Sequence, residues 1–234
     1  SNLSMIHLWS HLTPDVKHII FSSTLVNFQG KTLALSEILF KNFAILDLIP
    51  LKLLMTTRSG IEIGSKIKFD DFKFYVKRRF VHHDNDDHEE SLKILSDDEI
   101  QALNKNVLLS DGPGMGKTTE FKIFAKKLKE RNEKSWIVFI DLITYIDSYQ
   151  KDGRVSKTFE SDEDIAEFLC KNILRIDSFE AQIFYELFRN GRVILLFDGF
   201  DEISPSFKEF VIQLLKSIET KSKNQFWVST RPHL

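Results

Sequence analysis

Residues 110–119 read SDGPGMGKTT and directly follow a short apolar run at 107–109. The residues after them have apolar side chains at helical spacing: Phe121, Phe124, Ala125 and Leu128. Strand, glycine-rich loop and helix thus stand in the order that a phosphate site needs. Glycines let successive backbone N–H groups point inward, and a helix N-terminus favours an anion. The pattern predicts phosphate binding at residues 112–119.

The residue types in this loop suit a nucleoside triphosphate with Mg²⁺. Lys117 would place its ammonium between the β- and γ-phosphates, Thr118 would offer its hydroxyl to Mg²⁺, and Thr119 would reach the α-phosphate. The loop departs from G-x-x-x-x-G-K-[ST] at Asp111, where glycine is usual. Aspartate tolerates left-handed backbone conformations better than most residues, so we expect the loop to survive. The residues expected to cradle the phosphates are Gly112, Pro113, Gly114, Met115 and Gly116.

Three further apolar runs follow, at 136–140, 193–197 and 226–229. Amphipathic stretches separate them, with apolar positions Ile165, Phe168, Leu169 and Ile173, and then Phe207, Phe210, Val211 and Leu214. Short apolar runs alternating with helices predict an α/β fold with a parallel sheet. Because the runs are almost continuously apolar, we expect helices on both faces of that sheet.

The third run ends in acidic residues, F-D-G-F-D-E at 197–202. Asp198, at the carboxyl end of a buried strand, is placed to hold the water shell of Mg²⁺. Asp201 and Glu202 would polarise a water for attack on the γ-phosphate, with Glu202 better placed. The alternative is that Asp201 and Glu202 only cap the helix that begins near Pro205.

The fourth run ends S-T-R-P at 229–232. Arg231 would sense or neutralise γ-phosphate charge, because guanidinium is a permanent, forked donor. Arg231 therefore joins Lys117, Asp201 and Glu202 as a candidate catalytic residue.

Residues 1–80 have a different sequence pattern. Apolar and polar side chains alternate with period two at 61–63 and 67–69, and apolar side chains have helical spacing within 33–48. We interpret them as an α+β region of unassigned family.

Residues 81–104 include the acidic, histidine-containing run 82–90, which favours a solvated linker over a metal site because consecutive ligands on a loop lack supporting residues. Lys77, Arg78 and Arg79 either bind phosphate, pair with the acidic run or are merely solvated. Residues 105–234 form the predicted nucleotide-binding domain.

Composition excludes several classes of protein. Lys and Arg number 32 against 34 Asp and Glu, a net charge of −2, so no global basic field favours nucleic acid. The single cysteine, Cys170, cannot form an internal disulfide and is expected to be a buried thiol, which suits a reducing compartment. No apolar run approaches the ~18 residues of a membrane span, so we expect a cytoplasmic protein.

Three motifs together, at 111–119, 195–202 and 229–232, resemble the NACHT family of signal-transduction NTPases (the STAND class). The D-G-F-D-E form of the second motif is the most specific element. The resemblance implies a three-layer αβα P-loop NTPase core with a sheet of 2-3-1-4-5 type order in the additional-strand glutamate class. It implies ATP or ADP with Mg²⁺ as ligands, slow ATP hydrolysis, and nucleotide-controlled homo-oligomerisation in innate-immune or cell-death signalling.

The resemblance also reaches upstream and downstream of these motifs. The family often carries a tyrosine and arginines that help hold the adenine, and Tyr75 and Arg79 match them. After the sensor arginine the family continues into a helix and strand, a helical domain, a winged helix and a repeat-based sensor. We therefore expect residues 105–234 to be C-terminally incomplete and to bind nucleotide more weakly than a longer chain. Protein partners would engage the N-terminal region and the sensor.

Three functions compete on this sequence. The first is a Mg²⁺-dependent ATPase switch, on the strength of three motifs in order. The second is an interaction module whose P-loop fold is catalytically silent, motivated by Asp111. The third, a small-molecule kinase, is weaker because the chain has no Arg-rich lid segment.

Overall fold

A computed structural model describes residues 25–28, 31–34, 78, 80–82, 93–95, 99–100, 106–132, 135–144, 158–176 and 178–232. The strands with described bounds are β1 Leu25–Phe28, β2 Lys31–Ala34, β3 Phe80–His82, β4 Lys93–Leu95, β5 Val107–Ser110, β6 Trp136–Asp141, β7 Val193–Asp198 and β8 Gln225–Thr230. The α-helices with described bounds are α1 Lys117–Arg131, α2 Asp162–Phe168, α3 Ser178–Arg189 and α4 Pro205–Lys221. A π-helical turn, Leu169–Leu174, continues α2, and a 3-10 turn, Phe200–Glu202, follows β7.

The four apolar runs form one parallel sheet in the order β5-β8-β7-β6. The register aligns Leu108 with Val228, and Leu196 with both Trp227 and Phe139. All three pairings are parallel, so the carboxyl ends of the four strands share one edge. The prediction of an α/β parallel sheet is confirmed.

Helices cover both faces of this sheet because side chains along each strand alternate between them. On β7, Leu195 and Phe197 pack with α2, α3 and α4, whereas Leu196 packs with α1 on the other face. Aromatic rings pack in both layers: the ring centroids are 5.5 Å apart for Trp136 and Phe184 on one face, and 5.4 Å apart for Phe124 and Trp227 on the other. Strands buried on two sides explain why the runs lack polar alternation.

The strand order differs from the 2-3-1-4-5 type that the NACHT resemblance implies. Counted from β5, the observed order is 1-4-3-2, because β8 lies between β5 and β7. α1 packs on one face and carries the chain from β5 to the far strand, β6. α2 to α4 lie on the opposite face. The connections from β6 to β7 and from β7 to β8 use helices on the opposite face. Right-handed connections on that face run in the reverse direction along the sheet, so β8 lies beside β5.

The predicted helix faces are buried, with one change of geometry. Ser161 caps α2 through a capping box with Asp164. The helix then widens into the π-helical turn, although the apolar spacing predicts one regular helix. Ile165, Phe168 and Ile173 are nevertheless buried together in the layer formed by α2 to α4.

Composition gives two expectations, one about the environment of Cys170 and one about membrane-spanning helices. Cys170 is buried in the π-helical turn, as predicted for a structural thiol. Burial, with a smaller contribution from Glu167, raises its pKa to about 12, so the thiol stays protonated. None of the helices in the described part of the chain combines the length and apolar character that crossing a bilayer requires.

The segment before the sheet contributes to its core. β3 and β4 pair antiparallel, and Phe80 packs on Phe124 of α1 with centroids 5.4 Å apart. Leu95 and Ile100, within the stretch predicted as a linker, are buried in the same layer. The division of the chain at 80 and 104 stays a prediction.

Nearer the N-terminus, β1 and β2 form an antiparallel pair. β2 ends at Ala34, so the stretch predicted to be helical from residue 33 begins as a strand. The strands predicted at 61–63 and 67–69 lie outside the described residues.

A buried asparagine directly before β8 links the start of β7 to α3. Asn224 is 5% exposed; its Oδ1 accepts from Val193 N at 3.0 Å, and its Nδ2 donates to Phe188 O at 2.7 Å. We expect Asn224→Ala to lower the free energy of unfolding by about 2–4 kcal/mol, because two buried backbone groups lose their partner. Urea unfolding measures this change.

Asn190→Ala is the matched control for that prediction. Asn190 is exposed and also donates to a backbone carbonyl, Glu186 O, at 2.8 Å. A surface substitution of this kind changes stability by about 0.5 kcal/mol. Equal losses in the two variants would contradict the role assigned to Asn224.

Candidate functional site

The predicted site residues converge because parallel strands end together. The glycine-rich loop follows β5, Asp198 ends β7 and Arg231 follows β8. Asp111 N donates to Thr230 O at 3.3 Å, which joins the loop to the end of β8. One edge of the sheet therefore carries all three motifs that the sequence singles out.

The loop reaches α1 through two glycines in the left-handed region. Gly114 has φ 72° and Gly116 has φ 77°. Gly116 is the N-cap of α1 and has no side chain with which to cap it. The first N–H groups of a helix lack intrahelical partners and carry partial positive charge. The loop and helix start therefore present a cradle that fits an anionic phosphate.

Lys117 is folded over this loop. Its Nζ donates to Asp111 O at 2.9 Å and to Gly112 O at 3.0 Å. The ammonium thus lies against the concave backbone instead of extending into solvent. Thr118 and Thr119 are exposed at the start of α1, where their hydroxyls are accessible to a ligand.

Asp198 is a buried carboxylate, 4% exposed, at the end of β7. Its Oδ1 accepts a hydrogen bond from Ser229 Oγ at 2.5 Å. Ser229 Oγ in turn accepts from Gly199 N at 3.0 Å. The fully buried Ser229 hydroxyl therefore fixes the direction of the Asp198 carboxylate. Ser229 belongs to the S-T-R-P motif, but the sequence pattern alone assigns it no role.

The backbone conformation at position 199 explains why a glycine follows Asp198. Its φ is 80°, in the left-handed region, and it turns the chain from β7 into the 3-10 turn. Any other residue would be strained there. Glu202 Oε2 lies 3.7 Å from the point where a Cβ on Gly199 would stand.

The two acidic residues after Gly199 differ in environment. Asp201 has a side chain 2% exposed, and its Oδ2 lies 2.5 Å from Arg231 Nε. Neither carboxylate oxygen of Asp201 makes a hydrogen bond within the described residues, so the ion pair is its compensation. Glu202 is exposed and faces solvent. The structure therefore separates a buried counter-ion, Asp201, from an accessible carboxylate, Glu202.

The capping alternative for this acidic pair is wrong. Ser204 is the N-cap of α4, and Pro205 is its first residue. Ser204 O accepts from the N–H groups of Phe207 and Lys208, each at 3.0 Å. Asp201 and Glu202 lie before this cap, in the 3-10 turn.

Upstream, the structure adds a residue to the site. Tyr75 and Arg79, predicted to contact the adenine, lie outside the described residues. Arg78 is described, and its Nη1 donates to Asp111 Oδ2 at 3.2 Å. The basic trio and the aspartate at a glycine position were the two sequence signals for this pair, but 33 residues separate the partners.

Among the described residues, His, Cys, Asp and Glu do not assemble into a group of three that could hold a metal ion. A cation at this edge would therefore need a ligand's own oxygens beside Thr118 and Asp198.

Comparisons with protein-family models, curated proteins and solved structures found no match.

Proposed function

We propose that this chain binds ATP or ADP with Mg²⁺ at the loop 111–119 and acts as a slow, Mg²⁺-dependent ATPase switch of NACHT type. One observation carries the proposal. A loop with left-handed glycines ends at the glycine N-cap of α1, with Lys117 folded onto it, at the sheet edge where buried Asp198 ends β7. These are the parts that a polyphosphate with a divalent cation needs.

The fold supports a three-layer P-loop NTPase core. The loop follows β5, the Asp198 carboxylate ends β7 and Arg231 follows β8, as the three motifs require. The position of β8 between β5 and β7 is in keeping with an additional-strand NTPase. Membership of the NACHT family rests on the motifs at 111–119, 195–202 and 229–232.

Binding in this proposal exchanges one set of hydrogen bonds for another. Lys117 leaves the carbonyl groups of Asp111 and Gly112 and donates to the β- and γ-phosphates. The Thr118 hydroxyl and Asp198 would hold Mg²⁺, Asp198 through its water shell. The ion would supply charge neutralisation between the β- and γ-phosphate oxygens.

Glu202 is the proposed general base because it is the accessible carboxylate of the pair. It takes a proton from the attacking water as the water oxygen bonds to the γ-phosphorus. The bond between that phosphorus and the β-γ bridging oxygen breaks, releasing ADP and phosphate.

The Arg231–Asp201 ion pair supports a switch. A γ-phosphate would compete with Asp201 for the guanidinium, whereas ADP lacks the group that competes. Nucleotide-dependent homo-oligomerisation, and protein partners at the N-terminal region and at sensor domains, extend this proposal from the family resemblance.

The experiment that tests the function uses Asp198. We expect Asp198→Asn to reduce the enhancement of ATP affinity by Mg²⁺ about 10- to 100-fold, because the carboxylate that orients the metal's water shell is lost. Titration calorimetry with ATP, with Mg²⁺ and with EDTA, measures the enhancement.

Asp141→Asn is the matched control. Asp141 ends β6 in register with Asp198, but its carboxylate accepts from Ile143 N and Thr144 Oγ1, each at 3.1 Å. Its loss should leave the Mg²⁺ dependence unchanged. Equal Mg²⁺ enhancement in Asp198→Asn and the parent would contradict the metal site. A parent chain that binds no nucleotide would contradict the function and favour an interaction module.

A further inference from the structure

Arg78 joins the two ends of the glycine-rich loop. Its Nη1 lies 3.2 Å from Asp111 Oδ2, at the start of the loop. Its Nε lies 3.6 Å from Glu120 Oε2, in the first turn of α1. Glu120 is only 1% exposed, so one guanidinium faces a half-exposed carboxylate and a buried one.

The guanidinium also lies against the backbone between those ends. A Cβ on Gly116 would stand 2.9 Å from Arg78 Nη2. Gly116 thus serves two needs, its left-handed φ and the close approach of Arg78. Arg78 thus contacts the loop at the Asp111 side chain and at Gly116, whereas Lys117 contacts the carbonyl groups of Asp111 and Gly112.

The charge of Asp111 makes this contact consequential. A carboxylate at the start of a phosphate loop repels the ligand, and glycine, the usual residue, carries no such charge. Asp111 Oδ1 also accepts from Gly112 N at 2.7 Å, which takes a backbone donor of the loop. An arginine at 3.2 Å offsets the carboxylate with a permanent charge.

We propose that Arg78 is a positioning residue that lets a loop with Asp111 in place of glycine bind nucleoside polyphosphates, by neutralising Asp111 and holding it toward Glu120. This rests on the proposed nucleotide binding. The residue acts through Asp111 and need not touch the ligand. The nucleotide affinity of residues 106–232 would then depend on a residue in the segment upstream of β3.

A cycle of variants in the full chain tests the proposal. We expect Arg78→Ala to weaken ATP binding about tenfold, a size typical of coupled charge pairs. Asp111→Gly alone should change the affinity less than about threefold. In the Asp111→Gly background, Arg78→Ala should have almost no effect on ATP affinity, because the charge to be neutralised is gone.

Calorimetry with ATP gives the affinities, and thermal unfolding without nucleotide reports the contribution of Arg78 to the fold through Glu120. If Arg78 had only a structural role, Arg78→Ala would lower the unfolding midpoint, and it would reduce the ATP affinity by the same factor in the parent and in the Asp111→Gly background. That result would overturn the proposal. So would an unchanged affinity in Arg78→Ala. If that variant does not fold, Arg78→Gln replaces it, because glutamine removes the positive charge but keeps a hydrogen-bond donor; the same dependence on Asp111 is expected.

The same data separate this inference from the function on which it rests. A parent chain that binds no ATP overturns both. A parent that binds ATP through Lys117, with affinity independent of Arg78, overturns this inference alone.

Discussion

We expect replacement of Lys117 by alanine to abolish ATP binding, with the affinity falling about 100-fold or more. The ammonium now lies 2.9–3.0 Å from two loop carbonyl oxygens, Asp111 O and Gly112 O, and so already stands inside the cradle. Removing one partner of a close charge pair costs about 2–5 kcal/mol, and the phosphates offer the largest charge in the complex. Equilibrium binding of fluorescent ATP and ADP measures the loss.

Lys126→Ala controls for the removal of a positive charge from α1. Lys126 is exposed on the same helix and lies 4.0 Å from Glu130. Its loss should leave the affinity within about twofold, because exposed pairs contribute little. Equal affinity for ATP in Lys117→Ala and the parent would rule out the loop as the nucleotide site.

We expect ATP hydrolysis to fall about 100-fold or more in Glu202→Gln, while ATP binding is retained, because the variant loses the proposed general base and keeps the loop. Glutamine preserves the size of the side chain and removes only its ability to take a proton. Single-turnover release of phosphate from bound ATP separates the chemical step from binding.

Glu209→Gln is the control for this second prediction. Glu209 is exposed on α4, seven residues beyond Glu202, and has no assigned role. It should hydrolyse ATP at the parent rate. Hydrolysis at the parent rate in Glu202→Gln would remove Glu202 from the mechanism and direct attention to Asp201, despite its pairing with Arg231.

Much of the α/β fold is predictable because it depends on local patterns. The four apolar runs are β5 to β8, and the apolar positions at 121–128 are buried on α1. Periodicity reports which residues face the core, but it says nothing about which strands are neighbours. The position of β8, and the π-helical turn Leu169–Leu174, therefore emerge only from the packed structure.

The candidate site is likewise predictable from the sequence only in part. Gly116, Lys117 and Asp198 are recognisable because their chemistry lies within contiguous motifs. Ser229 and Arg78 act through partners 31 and 33 residues away, so no local motif joins them to the site. The difference between Asp201 and Glu202 depends on burial, which two adjacent acidic letters do not reveal.

The insertion of β8 also sets the width of the site. Neighbouring strands lie about 4.8 Å apart, so the strand that ends in Asp198 is about 10 Å from the strand that precedes the loop. In the proposed function, that gap leaves room for a cation that keeps its water molecules, as Mg²⁺ prefers to do. The intervening strand contacts both sides, through Thr230 O to Asp111 and through Ser229 to Asp198. In that proposal, backbone geometry would fix the separation of phosphate and carboxylate, which favours a hydrated ion over one ligated directly by the carboxylate.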